Sequence, residues 1–173
     1  MRKIPTYENN KWDYTIFKSD EIFSDFILEI FKEPGKYYFN DYAFKFNNEA
    51  RNFNNDGYYC SSPFKSKDFL EYWNKEKEKC KEGVIYKDGQ HIWYLTRDYY
   101  MWLNFLPIYD KEEKKYGFAK VRDAQYHMAL YEILAELNNK HCAILKKRQI
   151  ASSYFHMAKL INQYWFEEGS VCK

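Results

Sequence analysis

Between His141 and Tyr154 the chain runs from a short apolar stretch, through a cationic polar one, into a segment with helical spacing. Strand, tight polar loop and helix, in that order, is what a phosphate-binding loop needs. The first N–H groups of a helix lack intrahelical partners and lie at the positive end of its dipole, so they attract anions. A loop feeding that helix can fold its amides around phosphate oxygens. A lysine adds a mobile positive charge, and a Ser or Thr hydroxyl holds Mg2+. The standard spacing is G-x-x-x-x-G-K-[ST]. Laid on this segment, Ser153 takes the hydroxyl position, Ser152 the lysine position, Ala151 the second glycine and Lys146 the first. Spacing alone is a poor match, because both glycines and the usual lysine are absent. The plainer reading of the same residues makes Lys146, Lys147 and Arg148 solvated loop charges and the Ser152-Ser153 pair a helix N-cap.

The elements that would position these residues follow from periodicity. Cys142 to Leu145 is a short apolar run of buried-strand type. A helix after the loop carries Phe155, Ala158, Ile161 and Trp165 on one face and ends at Gly169. Upstream, Val121, Ala124, Met128, Tyr131 and Leu134, with Leu130, Ile133 and Leu137, predict a helix over 121–137. Thr96 or Asp98 opens a short helix carrying Tyr99, Tyr100, Trp102, Leu103 and Phe105, stopped by Pro107. Two β-prone runs flanking Asp88-Gly89 predict a hairpin over 84–95. A helix capped by Ser66 and closed by Gly83 holds Phe69, Leu70 and Trp73, then a solvated charged half. Residues 111–117 read as an exposed charged loop. The Asn-rich stretch within 36–62 reads as a loop closed by Asp56-Gly57. Phe23, Phe26, Ile27, Ile30 and Phe31 predict a helix over 20–32, stopped by Pro34-Gly35.

The bulk numbers bound what these elements can serve. At 173 residues the chain holds one domain, or one and the start of another. Lys and Arg (27) nearly cancel Asp and Glu (25), so no global basic field points to nucleic acid. Aromatics at 21% imply a packed core, a partner interface, or both. Cys60, Cys80, Cys142 and Cys172 form no C-x-x-C pair, which argues against zinc and a disulfide framework and for reduced thiols. His91, His127, His141 and His156 show no ligand spacing. The first residues lack a secretory h-region, and no apolar run is long enough to span a bilayer, so an intracellular protein is expected.

The departures from the standard loop are themselves a pattern. Lys146 to Ser153 resembles the altered Walker A motif of large terminase subunits of tailed phages, K-x-R-Q-[LI]-G-x-S, through Lys146, Arg148, Gln149, Ile150 and Ser153. Such proteins have a glutamine about 20 residues upstream, at the adenine side of the site. Here the segment Val121 to Gln125 supplies it as Gln125. Tyr100 to Ile108 looks like their Y-F-x-L-N-F-x-P-I segment, as in crAss-like gut phages. The resemblance covers roughly residues 91–168 and none of 1–90. It implies ATP and Mg2+ as ligands. Gln125, Lys146, Arg148, Gln149, Ala151, Ser152 and Ser153 would bind the nucleotide, Lys146 and Arg148 would act on its phosphates, and Ser153 would hold Mg2+. Lys146 would reach the β- and γ-phosphates because the loop curls back over them. Ala151 departs from the motif's glycine, and a positive φ there would strain it by about 1 kcal/mol or more.

By this resemblance the intact protein is an ATP-driven motor that packages double-stranded DNA into procapsids and then cuts it. Its partners would be a portal protein and a small terminase subunit. It would form an oligomeric ring only at full length, with no membrane contact, in the cytoplasm of the infected bacterial host. The fold expected is α/β and α-rich. Residues 1–117 would form an irregular helical region with a hairpin, and 118–173 the first strand–P-loop–helix unit of a truncated P-loop NTPase core. No acidic second strand follows residue 153, so the chain is expected to be a fragment that alone neither hydrolyses ATP nor cuts DNA. Two rivals stand beside this: a fragment of another, helicase-like P-loop ATPase, or a non-enzymatic aromatic-rich helical binding module.

Overall fold

A computed structural model of the chain describes residues 7–8, 11–12, 43–88, 91–110, 114–137, 139–146 and 151–169. The helix expected over 20–32, the aromatic stretch 37–42, Cys172, and the loop residues Lys147, Arg148, Gln149 and Ile150 lie outside the described residues.

The described residues are α-rich, with helix a little over half of them. After a two-residue pairing of β1 (Tyr7–Glu8) with β2 (Lys11–Trp12) come a single turn, α1 (Ala43–Phe46), and α2 (Asn48–Asp56). Then follow α3 (Lys67–Glu82), β3 (Val84–Asp88), β4 (His91–Leu95) and α4 (Arg97–Phe105). The hairpin of β5 (Ile108–Asp110) and β6 (Lys115–Gly117) leads to α5 (Asp123–Leu137) and α6 (Ser152–Phe166). β3–β4 and β5–β6 are separate antiparallel two-stranded hairpins.

Local chemistry sets several of these boundaries. The Ser66 hydroxyl accepts the Phe69 N–H at 3.2 Å and opens α3. Gly83 closes α3 at φ +81°, and a Cβ there would lie 2.5 Å from the Leu95 carbonyl oxygen, so the turn into β3 admits only glycine. Thr96 caps α4 by accepting the Tyr99 N–H at 3.4 Å. The hairpin pairs Val84 with Leu95 through Asp88 with His91, as the Asp-Gly signal predicts.

The core is built on α4. From Asp98 to Asn104 every residue of this helix is buried, so it has no solvent face. Tyr99 and Trp102 meet Phe155 of α6 with ring centroids 6.1 and 5.7 Å away, and Tyr99 meets Tyr126 of α5 at 6.0 Å. Trp73 of α3 and Tyr59 pack on Phe105. Much of the aromatic excess is thus interior packing, in tilted and edge-on pairs that favour the ring quadrupoles.

Four expectations fail. The Asn-rich stretch is not a loop throughout, because α2 occupies 48–56. Its N-terminus is capped from another element: Asn104 Oδ1 accepts the N–H groups of Glu49 (3.1 Å) and Ala50 (3.4 Å). Residues 115–117 are a strand rather than part of a loop, because Asp110 pairs with Lys115 and Ile108 with Gly117. The run 142–145 is irregular and exposed, not a buried strand, and among the described residues no strand runs beside it to satisfy its amides and carbonyls. The strand of the expected P-loop unit is therefore not formed here. On α6 the buried face is Ser152, Phe155, Ala158 and Asn162, whereas Trp165 is exposed. The buried Asn162 amide donates to the Cys80 carbonyl at 2.8 Å, so a polar residue takes the place that periodicity gave to an aromatic.

Candidate functional site

Two residues singled out by the sequence meet in space. Gln125, buried in the first turn of α5, and Ala151, which immediately precedes α6, both line a cavity of about 310 Å³. That volume lies at the lower end of the range for small-molecule sites. The rest of the wall includes Trp102 from α4, Phe118, Lys120 and Arg122 from the segment joining β6 to α5, and Lys115 from β6. The lining is mixed: aromatic surface, the carboxamides of Asn54 and Gln125, the carboxylate of Asp110 and three cationic side chains.

Ala151 has φ +54° and ψ 23°, the left-handed conformation that L-residues with a Cβ rarely adopt. It is the N-cap of α6, and its methyl side chain makes no capping hydrogen bond. The first N–H groups of a helix have no intrahelical partner and lie at the positive end of its dipole. The expectation that Ser152 or Ser153 caps this helix is not met. Ser152 is the first helical residue and is buried, with its carbonyl accepting from His156 Nδ1 at 2.7 Å, and Ser153 is exposed in the same turn. Lys146 is exposed at the end of the irregular segment. Lys147, Arg148, Gln149 and Ile150 connect it to Ala151 outside the described residues.

The chain matches no protein-family model, no curated protein and no solved structure.

Behind the start of α6 lies a charged network that fixes its placement on α5. The buried carboxylate of Glu132 faces His156 Nε2 at 2.8 Å and Lys159 Nζ at 2.9 Å. Lys159 also pairs with Glu136, and Arg97 with Glu167. Burial pulls the Lys159 ammonium down, but hydrogen bonds to Glu136 and Glu132 outweigh it and leave its pKa raised. Next to Arg97, burial pushes the Asp98 carboxyl up to about 6, against the opposing pull of Arg97 and Lys159.

The sequence missed Trp102, Phe118, Lys115 and Lys120 as wall residues. Arg122 and Trp102 do stand inside the segments Val121 to Gln125 and Tyr100 to Ile108 that carried the resemblance. Phe118 and the lysines had no signal beyond their type, because only the β5–β6 hairpin brings them to the cavity. Among the described residues no group of three or more His, Cys, Asp or Glu could hold a metal ion, and no helix is long and apolar enough to cross a membrane.

Proposed function

We propose that the chain carries the ATP-binding segment of a phage terminase large subunit, the motor that drives double-stranded DNA into procapsids. The observation that carries this reading is the meeting of Gln125 and Ala151 at one cavity. In the motif that the segment resembles, these two positions are the adenine-side glutamine and the loop glycine. The left-handed backbone at Ala151 adds to it, since a residue free to take positive φ is what that glycine provides.

In this reading Gln125 hydrogen-bonds the base edge and Phe118 offers it a ring face. The amides of Ala151, Ser152 and Ser153 and the charges of Lys146 and Arg148 take the phosphates, with Gln149 shaping the loop between them. Lys146 and Arg148 are the residues acting on the β- and γ-phosphates. Mg2+ needs few protein ligands when phosphates supply the others, so the exposed Ser153 hydroxyl fits the ion without an acidic cluster. Double-stranded DNA, a portal protein and a small terminase subunit would be the partners of the whole motor, assembled as a ring in the cytoplasm of the infected host.

Calorimetric titration with Mg-ATP tests the reading. The chain should bind, Gln125→Ala should weaken binding by about tenfold, and Lys146→Ala by about tenfold to a hundredfold. Absence of heat at millimolar nucleotide sinks the assignment.

A second reading draws on one specific observation. Tyr154, Met157, Leu160, Tyr164 and Trp165 leave a run of exposed apolar side chains along α6. A contiguous exposed face of this kind marks an interaction surface, as a non-enzymatic binding module would have. In that case Lys146→Ala changes no nucleotide affinity because there is none. The face also suits a helix that flanks the sheet of a P-loop ATPase, whether of terminase or helicase-like type, so it does not count against the first reading.

A further inference from the structure

We infer that two copies of the chain pair through the exposed face of α6, antiparallel about a two-fold axis. Such pairing needs no nucleotide. Tyr154, Met157, Leu160, Ile161 and Tyr164 recur at three- and four-residue spacing, so they share one side of the helix, with Trp165 at its edge. Ile161 is half-buried and the others are exposed, Tyr164 by 68% and Trp165 by 63%. The opposite side, Phe155, Ala158 and Asn162, is already packed inward. Size and charge both point to a second copy as the occupant. At about 200 Å² for each large side chain in full, the five exposed ones present on the order of 500–600 Å². Apolar surface makes up about 65% of a homodimer interface, so a seam of this size belongs to one of roughly 800 Å² per copy, the usual size of a stable pair. The charge of the segment is lopsided. From Lys140 to Phe166 there is no Asp or Glu, and Glu167 and Glu168 follow directly. Glu167 is held by Arg97, whereas Glu168 is exposed. The N-terminal end of α6 is also the positive end of its dipole. Centring the two-fold between Leu160 and Ile161 sets Met157 of one copy against Tyr164 of the other. It also brings each Glu168 beside the first turn of α6 in the opposite copy. Parallel pairing would set like ends together, so only the antiparallel order is self-complementary, as an interface around a two-fold must be.

Sedimentation equilibrium of the whole chain, without nucleotide, tests the pairing. The expected result is a monomer–dimer equilibrium with a dissociation constant of about 1–100 µM. Leu160→Glu sets two carboxylates together at the axis and should weaken the dimer by more than about a hundredfold. Its melting temperature, taken at a concentration where the unsubstituted chain is monomeric, should match that chain, because Leu160 stands at the surface. Should Leu160→Glu unfold, Tyr164→Glu makes the same change at a more exposed position. Glu168→Lys places a cation at the positive end of the opposite helix and should weaken pairing by about threefold to tenfold, a difference that added salt removes. A chain that stays monomeric at about 200 µM overturns the pairing and leaves the face to another protein or to further strands of its own chain. A dimer that survives Leu160→Glu and Tyr164→Glu unchanged overturns the choice of α6. One that is indifferent to Glu168→Lys overturns the antiparallel order, because in a parallel pair the two residues 168 repel with either sign.

Discussion

Ala151 shows how a single backbone angle can be weighed. Holding an L-residue with a Cβ in the left-handed region costs roughly 1–2 kcal/mol. Glycine escapes that cost, but its freer unfolded chain gives back about 0.4–1 kcal/mol. The difference favours glycine, so Ala151→Gly should raise folding stability by about 0.5–1 kcal/mol. Ala158→Gly, buried in the middle of α6, should lower it by at least about 1 kcal/mol. Urea unfolding midpoints of the two variants check this. A drop for Ala151→Gly as large as that for Ala158→Gly would mean that position 151 is not held at positive φ in solution. The sequence could pose the question of strain here, because the motif it resembles has glycine. It could not answer it, because φ depends on how α6 seats against α4 and α5.

The elements divide by where their stabilising contacts come from. α3, α4, α5 and the 84–95 hairpin were legible because their signals are local: a Ser66 or Thr96 cap, the Gly83 stop, an apolar period, an Asp-Gly turn. α2 was not. Its sequence is rich in asparagine, a poor helix former, and its capping group lies on α4. Asn104 Oδ1 accepts from Glu49 and Ala50, while Nδ2 donates to the carbonyls of Phe46 (2.8 Å) and Tyr100 (3.0 Å). All of these bonds are buried, so Asn104→Ala should cost roughly 2–4 kcal/mol. The loss should be uneven. Amide hydrogen exchange should show residues 48–56 losing protection first, while the second half of α3, anchored by its own helical bonds, keeps it. Equal loss across both helices would show that Asn104 supports the core as a whole rather than α2. The exposed run 142–145 is the opposite case. Its composition reads as strand, but strand structure belongs to a pair, and no partner stands beside it among the described residues.

At the scale of the molecule, the sequence singled out residues of the cavity wall only where it carried a pattern. Gln125 and Ala151 came from a motif, whereas Phe118, Lys115 and Trp102 reach the same cavity through a hairpin and a buried helix whose placement is tertiary. The charged network joining α4, α5 and α6 was likewise unreadable, and it sets the response to pH. Burial raises Asp98 from 3.8 to about 6. A carboxyl raised on folding binds its proton more tightly in the folded state, so protonation favours folding. The benefit is complete below about pH 4 and lost as pH climbs past about 6. Keeping Asp98 ionised at neutral pH therefore costs about 3 kcal/mol as an upper figure. Glu71 is held below its ordinary value by the hydrogen bond and charge of Lys75 and works in the opposite direction, but both side chains are fully exposed. On the alkaline side, burial pushes Tyr72, Tyr86, Tyr94 and Tyr100 above their ordinary value of 10.0, and Tyr59 and Cys80 up to about 12. Their contribution is present below the unfolded values, near 9 for the thiol and 10 for the phenols, and drains away above them. Urea midpoints should accordingly fall from about pH 4 to 7 through Asp98 and fall again above about pH 10. Asp98→Asn should remove the first slope, being more stable than the unsubstituted chain near pH 7.5 and equal to it near pH 4, within about 0.5 kcal/mol. A stability difference between the two that stays constant across that range would show that Asp98 does not change its protonation on folding.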